Sequence, residues 1–509
     1  MYYGSINRIT GLASGLDIEQ IVEDLMRVER KPLDKLLQDK QLLEWKQEDY
    51  RSINTALRAF RDGIASAARL QSSYLARKAT SSDETVVTAA VGANAQPGTY
   101  TVTVHQLAEV ASDISTVVLS ADPADKIDPD VTIDSQAAKF ATSPSATVLE
   151  FSISTYDEEG NVITENFTVD TTVDSLNDVI ARINAKSATL GVTAFYEEST
   201  DKVVISTTRT GDYATPEIKI EDITGNFALG TLQLEATADG KNAIVDINGL
   251  TGITKYENTF TLNNVTFNLK NTGTATVMVE RDTDAVVEFI KSFVEEYNNI
   301  LETINAKLNE PRYRDYPPLT EEQKKEMSDR EIELWEEKAR SGMLRSDPLL
   351  TRAIYALRNA FASRVEGVDT AYDTIYEIGI TPGSYQEGGK LYIDEEKLRE
   401  AVEANPEAVM DLFTASGETT ETTGLAKRVY DELKDVIELL TDKAGYPSSF
   451  SLYDNSFMGK SLREIEERID QMEERLQEVE ERYWREFTAL EQYIAQMNAQ
   501  SMWLMQQMQ

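Results

Sequence analysis

His105 is the only imidazole in 509 residues, and it follows an alternating stretch at 101–104, just ahead of Gln106-Leu107-Ala108. A hydrolytic triad needs a nucleophile and an orienting acid beside such a histidine. Nothing in the sequence marks either one, so His105 is read as a structural or surface residue. The absence of cysteine excludes disulfides, thiolate zinc sites, iron–sulfur clusters and cysteine nucleophiles together. Gly11-Leu12-Ala13-Ser14-Gly15 precedes a helical pattern but lacks the lysine and spacing of a phosphate-cradling loop, and is read as a flexible joint. Asp122, Asp125, Asp128 and Asp130 cluster in sequence. A calcium loop opening at Asp122 would need glycine where Ile127 stands and glutamate where Ile133 stands. Carboxylate pairs could be drawn almost anywhere among 88 acids, so no pair singles out a hydrolase. The expectation is no catalytic, metal or cofactor site, and no enzyme activity.

Apolar residues at the two ends carry a more specific message. Residues 16–74 are predicted helical with a break at Pro32, and Leu36, Leu43, Tyr50, Leu57 and Ile64 recur every seven residues. A helix of about 40 residues extends roughly 60 Å. Leu16, Ile21 and Leu25 are the apolar candidates ahead of it. At the other end Leu462, Ile465, Ile469, Met472, Leu476, Val479 and Tyr483 step by threes and fours, with charges between them. The step from Tyr483 to Phe487 is a stutter, after which Leu490, Ile494, Met497, Leu504 and Met508 resume the series. A seam this narrow needs a partner. The tail with Met502, Trp503 and Met505 suits either packing on the N-terminal helix or docking on another subunit.

Between the ends the period becomes two. Leu149, Phe151 and Ile153 alternate, a turn follows at 157–161, and Ile163, Phe167 and Val169 start the return. A second hairpin is predicted across 192–205, further strands at 99–104 and 274–279, and one helix on Leu176, Val179, Ile180 and Ile183. After Arg281 a long amphipathic helix ends before Pro311, and shorter helices follow at 348–363 and 406–413, the last capped by Asn405. Glycine-rich linkers are placed at 381–389 and 414–424. Two unpaired heptad helices at opposite ends most readily satisfy each other. The expected class is α+β multidomain, a coiled-coil or helical stalk formed by both chain ends with inserted β-rich head domains.

Fifty basic against 88 acidic residues leave a net charge of −38, which argues against nucleic acid and anionic lipid as partners. No stretch approaches the roughly 20 apolar residues of a membrane span. Asp17, Glu19, Glu23 and Asp24 interrupt any apolar signal segment in the first thirty residues.

The order of several motifs resembles one known family. Ile9-Thr10-Gly11-Leu12-Ala13-Ser14-Gly15-Leu16-Asp17, continuing to Glu29-Arg30-Lys31-Pro32-Leu33, is similar to the N-terminal signature of flagellar hook-associated protein 2, the filament cap family. Gly98-Thr99-Tyr100 leading to Gln106-Leu107-Ala108 resembles its first β-domain motif. Asp174-Ser175-Leu176-Asn177-Asp178 through Gly191-Val192-Thr193-Ala194 resembles a module shared with flagellins. Asp282-Thr283-Asp284-Ala285-Val286, Ile378-Gly379-Ile380-Thr381 and Phe487-Thr488-Ala489-Leu490-Glu491 continue the likeness to the end. The charged stretch from Tyr316 to Arg340 is similar to a segment of Gram-positive versions.

The resemblance implies a nested layout. Residues 1–41 and 455–509 would form a terminal leg, and 42–76 with 281–454 a helical domain. Residues 77–130 with 240–280 would form a first head, and 131–239 a second. It implies secretion through the flagellar export apparatus with a chaperone, a place at the flagellar tip, and a small ring, pentameric by preference. Flagellin and the hook-associated junction proteins would be its partners. The alternatives are another axial protein at the hook–filament junction, or an adhesin whose heads bind host glycan or mucin.

Overall fold

A computed structural model describes residues 15–507 apart from 93, 158–159, 385–386 and 448–453. Helix α1 (Ile18–Phe60) comes first, followed by strands β1 (Arg77–Ser81), β2 (Val87–Val91), β3 (Gly98–Gln106) and β4 (Val110–Ile114). Strands β5 (Val148–Tyr156) and β6 (Val162–Asp170) precede helices α2 (Leu176–Ala185) and α3 (Ser187–Leu190). Next come β7 (Val192–Glu197), β8 (Lys202–Thr210), β9 (Ile218–Thr224), β10 (Thr237–Ala238) and β11 (Ala243–Ile247). Strands β12 (Leu250–Lys255), β13 (Thr259–Leu262), β14 (Val265–Leu269) and β15 (Gly273–Arg281) close the β-rich part. Helices α4 (Thr283–Asn309), α5 (Glu321–Lys325), α6 (Asp329–Arg340) and α7 (Pro348–Ala362) follow, then the hairpin β16 (Ile380–Pro382) and β17 (Leu391–Ile393). The chain finishes with α8 (Glu395–Ala404), α9 (Pro406–Thr414), α10 (Leu425–Ala444) and α11 (Phe457–Gln507). It is an α+β multidomain chain, with helices toward both ends and β-rich sequence between. It divides into two units, Met1–Tyr74 with Thr283–Gln509, and Leu75–Asp282.

In the helical unit, α1 starts where Asp17 accepts a hydrogen bond from the Gln20 amide at 3.1 Å. The expected break at Pro32 does not occur, because α1 runs straight through it. Proline removes the amide that would serve the Val28 carbonyl. Val28 is exposed, so water is free to serve that carbonyl instead. The regular helix ends at Phe60, where a π-type turn, Arg61–Ala65, carries Gly63 at a non-helical φ of −86° and ψ of −115°.

Beyond Tyr50, α1 enters a core built with α4, α7, α9 and α10. The expected face of α4 is buried there, from Val286 and Ile290 through Phe293 and Tyr297 to Ile304. Phe293 is the hub of the rings, 5.9 Å from Phe60 and 6.2 Å from Phe413, whose own ring stacks on Tyr74 at 5.2 Å. Each fully buried ring contributes about 1.5–3 kcal/mol of hydrophobic stabilisation. Arg428 on α10 is buried beneath this core. It donates to the carbonyls of Thr423, Ser363, Arg364 and Glu421 at 2.7–3.0 Å, gathering the loops around the end of α7. The charged stretch from Tyr316 to Arg340 contains α5 and α6. Thr320 and Gln323 cap α5 reciprocally, and Glu331 accepts from the Ser328 amide at the start of α6. Gln38 and Trp335 donate to the carbonyls of Pro318 and Pro317, both at 2.7 Å, which ties this segment to α1.

The β-rich unit holds two cores. One lies between the sheets β1-β15-β3-β11-β12 and β13-β14-β2, filled by Val102, Val104, Val245, Phe267, Val277 and their neighbours. The two stretches predicted at 99–104 and 274–279 are adjacent antiparallel strands, with Met278 opposite Thr99 and Thr274 opposite Thr103. The other core lies among the sheets β10-β9-β5-β6 and β4-β8-β7 and helix α2. Both predicted hairpins are present, β5 with β6 and β7 with β8. Ser175 and Asp178 cap α2 as a box. Ala111, Leu119 and Ile127, assigned from sequence to the first head, pack in this second core instead. The reason is pairing: β4 joins β8, so the chain crosses between the cores just after Ala108.

Candidate interface: the paired terminal helices

No cluster of reactive side chains dominates the described residues, so the candidate site is the surface made by α1 and α11. The two helices run antiparallel. Arg51 and Gln47 both meet Asp454 at 2.7 Å, Lys40 meets Glu466 at 2.8 Å, and Tyr483 donates to Glu29 at 3.1 Å. Descending numbers on α11 thus face ascending numbers on α1. The hydrogen bond to Glu466 is the first cause holding the Lys40 ammonium above its ordinary pKa.

Between these polar ties lies an apolar seam. Ile18, Val22 and Met26 of α1 bury against Leu476, flanked by Leu33, Met472, Val479, Tyr483, Trp484 and Phe487. Of the α1 residues picked from sequence, Leu16 and Leu25 are exposed and Ile21 is half-buried. The seam instead uses Ile18, Val22 and Met26. Their spacing of four is an ordinary helical-face pattern, outside the heptads that start at Leu36. Leu36 is buried and Leu43 half-buried along the same helix. Tyr50 and Leu57 belong to the helical core instead, where the Tyr50 hydroxyl donates to Asp347 at 2.5 Å. On α11, Ile469 and Leu476 are buried, and Leu462, Ile465, Met472, Val479 and Phe487 are half-buried. Leu490, Met497 and Leu504 are exposed and Ile494 is half-buried. Met508 lies outside the described residues.

Among the described residues, the stripe therefore extends beyond the start of α1. At 3.6 residues per turn, Leu490, Ile494, Met497, Leu504 and Met505 continue the helical face that carries Met472, Leu476, Val479 and Tyr483. Ile18, at the beginning of α1, lies in the seam closed by Phe487, so about 20 residues of α11 extend past it. Beside the seam, α1 and the 318–325 segment border a groove of about 780 Å³, with Val22, Met26, Leu33, Leu37, Leu319 and Trp484 among its walls.

His105 and the clustered aspartates lie in the β-rich unit. His105 Nε2 is 2.7 Å from Asp246 across the β3–β11 pair on an exposed face. That bond, with the Gly252 amide second, holds the Asp246 carboxyl below its ordinary pKa. Of the clustered acids, Asp122 accepts from the Ala124 amide, Asp125 pairs with Lys139, Asp128 accepts from the Asp130 amide, and Asp130 accepts from Asn177. Among the described residues no group of three or more metal-ligating side chains is placed to hold an ion, and no helix is long and apolar enough to cross a membrane.

Comparison with known proteins bears on this interface. Residues 240–499 match the family "Flagellar hook-associated protein 2 C-terminus", residues 14–111 match "Flagellar hook-associated protein 2 N-terminus", and residues 150–209 match "Flagellin hook IN motif". Flagellar hook-associated protein 2 of Halalkalibacterium halodurans is 34% identical, over 97% of this chain and 98% of that one. The Thermotoga maritima protein of the same name is 26% identical, over 100% and 97%. The fold is similar to that of the D1-D2-D3 domains of the Escherichia coli flagellar cap protein. The TM-score is 0.53 at 20% identity, covering 82% of this chain and 99% of that one. These relatives are flagellar throughout and lend the adhesin alternative no support.

Proposed function

Because the chain belongs to the flagellar hook-associated protein 2 family, the filament cap of the bacterial flagellum, we propose that its paired terminal helices are the part that grips the growing filament end. The observation carrying this reading is the overhang of α11. Among the described residues, Leu490, Met497, Leu504 and Met505 of its apolar stripe are exposed beyond the turn where α1 begins. Such a stripe suits a partner that offers an amphipathic helix of its own, which in this family's setting is flagellin. The work is done by binding and release rather than by catalysis. Contacts strung along a narrow seam are individually weak, so an incoming subunit exchanges with them stepwise rather than against one large interface. The β-rich unit is stabilised by cores of its own, and identical chains assemble at the tip as a small ring.

The test is complementation of a cap-deficient strain with the full chain and with a chain truncated after Glu486. The truncated chain is expected to keep both β cores folded yet support no filament growth. Filaments of normal length from the truncated chain would overturn the reading.

A further inference from the structure

We propose that Met497, Met502 and Met505 form an oxidation-sensitive patch, and that converting their thioethers to sulfoxides releases the grip of the α11 overhang. This rests on the reading that the overhang contacts the filament. The chain has 12 methionines and no cysteine, so all of its sulfur chemistry belongs to thioethers. Met497, Met502 and Met505 are 53%, 66% and 69% exposed, whereas Met458, Met26 and Met410 are 1%, 4% and 8% exposed. Oxidation follows exposure, so the side chains presented by the overhang react first. Met278, on the exposed side of β15, is the only comparably open methionine among the other described ones.

The chemistry is a two-electron oxygen transfer from a peroxide. The sulfur lone pair attacks one peroxide oxygen, the S–O bond forms as the O–O bond breaks, and the other oxygen leaves as water after proton transfer. Sulfur is oxidised and the peroxide reduced. A flexible apolar side chain thereby becomes a polar one. Met497 and Met505 lie on the stripe with exposed Leu504, so their new S=O dipoles must be desolvated whenever the stripe is covered. One such group buried without a partner weakens the contact about tenfold.

The experiment treats the full-length protein with hydrogen peroxide, maps sulfoxides by peptide mass spectrometry and measures capping of purified filament ends. The expected order is oxidation of Met497, Met502, Met505 and Met278 well ahead of Met458, Met26 and Met410, with capping weakened at least about tenfold. A variant carrying Met497→Leu, Met502→Leu and Met505→Leu retains an apolar stripe without sulfur. Met508→Leu is added so that no tail thioether remains. Measured against its own untreated level, this variant is expected to lose no capping on peroxide treatment, with Met278 still oxidised. Tail methionines that oxidise no faster than the buried ones overturn the proposal, as does undiminished capping by the fully oxidised tail. Loss of capping on truncation without any peroxide effect overturns the switch alone. Normal filaments after truncation overturn the contact reading as well.

Discussion

Trimming Leu476 to alanine probes the seam directly. Leu476 is buried against Ile18, Val22 and Met26, with Met472 and Val479 alongside. Leucine-to-alanine changes in cores cost 2–5 kcal/mol, and a two-helix seam that relaxes toward solvent lies near the bottom of that range, about 2 kcal/mol. The loss stays local. Farther along, α1 is anchored independently by Tyr50 on Asp347 and by Leu57 and Phe60 in the helical core. A melting temperature for the whole chain is therefore the wrong readout, since a chain of two units need not unfold in one step. Amide hydrogen exchange followed by peptide is the right one, because it reports opening segment by segment. At 1.4 kcal/mol per decade, 2 kcal/mol predicts about thirtyfold faster exchange across residues 472–487. Peptides from α4 and β5 should exchange as before. Met26→Ala should act alike, and the double variant should fall short of additivity by at least about 0.5 kcal/mol if the two side chains touch. Wild-type exchange across 472–487 in the Leu476 variant would refute the pairing of the helices. Strict additivity would refute direct contact between the two residues.

Other perturbations follow from the buried polar groups. Arg428→Ala strands four carbonyls around the end of α7 and should destabilise the helical unit by about 3–5 kcal/mol, read as a lower denaturation midpoint for that unit alone. Glu217→Ala should cost the β-rich unit a similar amount, about 3–5 kcal/mol. The carboxylate of Glu217 accepts from Arg209 at 3.0 Å and from the Tyr213 and Ala214 amides at 2.9 and 3.2 Å, so residues 211–217 should become the first site of limited proteolysis. Asp113 accepts from the Glu235 amide at 3.0 Å while its other oxygen is buried without a partner, and burial is the main cause raising its pKa to about 6. A folded pKa above the unfolded one means that this contribution is fully present below about pH 4 and lost as pH rises through 6. Asp113→Asn should remove that slope and raise the β-rich unit's stability at neutral pH by about 1–2 kcal/mol, measured by denaturant titration at several pH values. An unchanged pH slope in the asparagine variant would refute the assignment.

Periodicity carried much of the architecture. The heptads of α11, the apolar face of α4, the capping of α2 and α9 and the two hairpins are short-range patterns, and a local pattern records which face of an element must be buried. What each face is buried against is a long-range matter. The heptad frame along α1 gave no sign that Tyr50 and Leu57 leave the α11 seam for the core around Phe293, because the same leucine spacing serves either neighbour. Nor did it show that Ile18, Val22 and Met26 displace Leu16, Ile21 and Leu25 at the start of the seam. Pro32 looked like a stop because proline lacks an amide, and only the solvated side of α1 makes it tolerable there. Residues 111–127 joined the second core through strand pairing with β8, more than 80 residues away, which no local signal encodes. Arg428 and Glu217 are ordinary surface charges by type, and become structural only because distant loops aim carbonyls or amides at them. Sequence alone thus marked the long helices toward both ends, α4 and the two hairpins, and showed that both chain ends need apolar partners. Tertiary structure decided which side chains meet and which part of the α11 stripe lies buried against α1, because burial depends on what the rest of the chain places opposite each face.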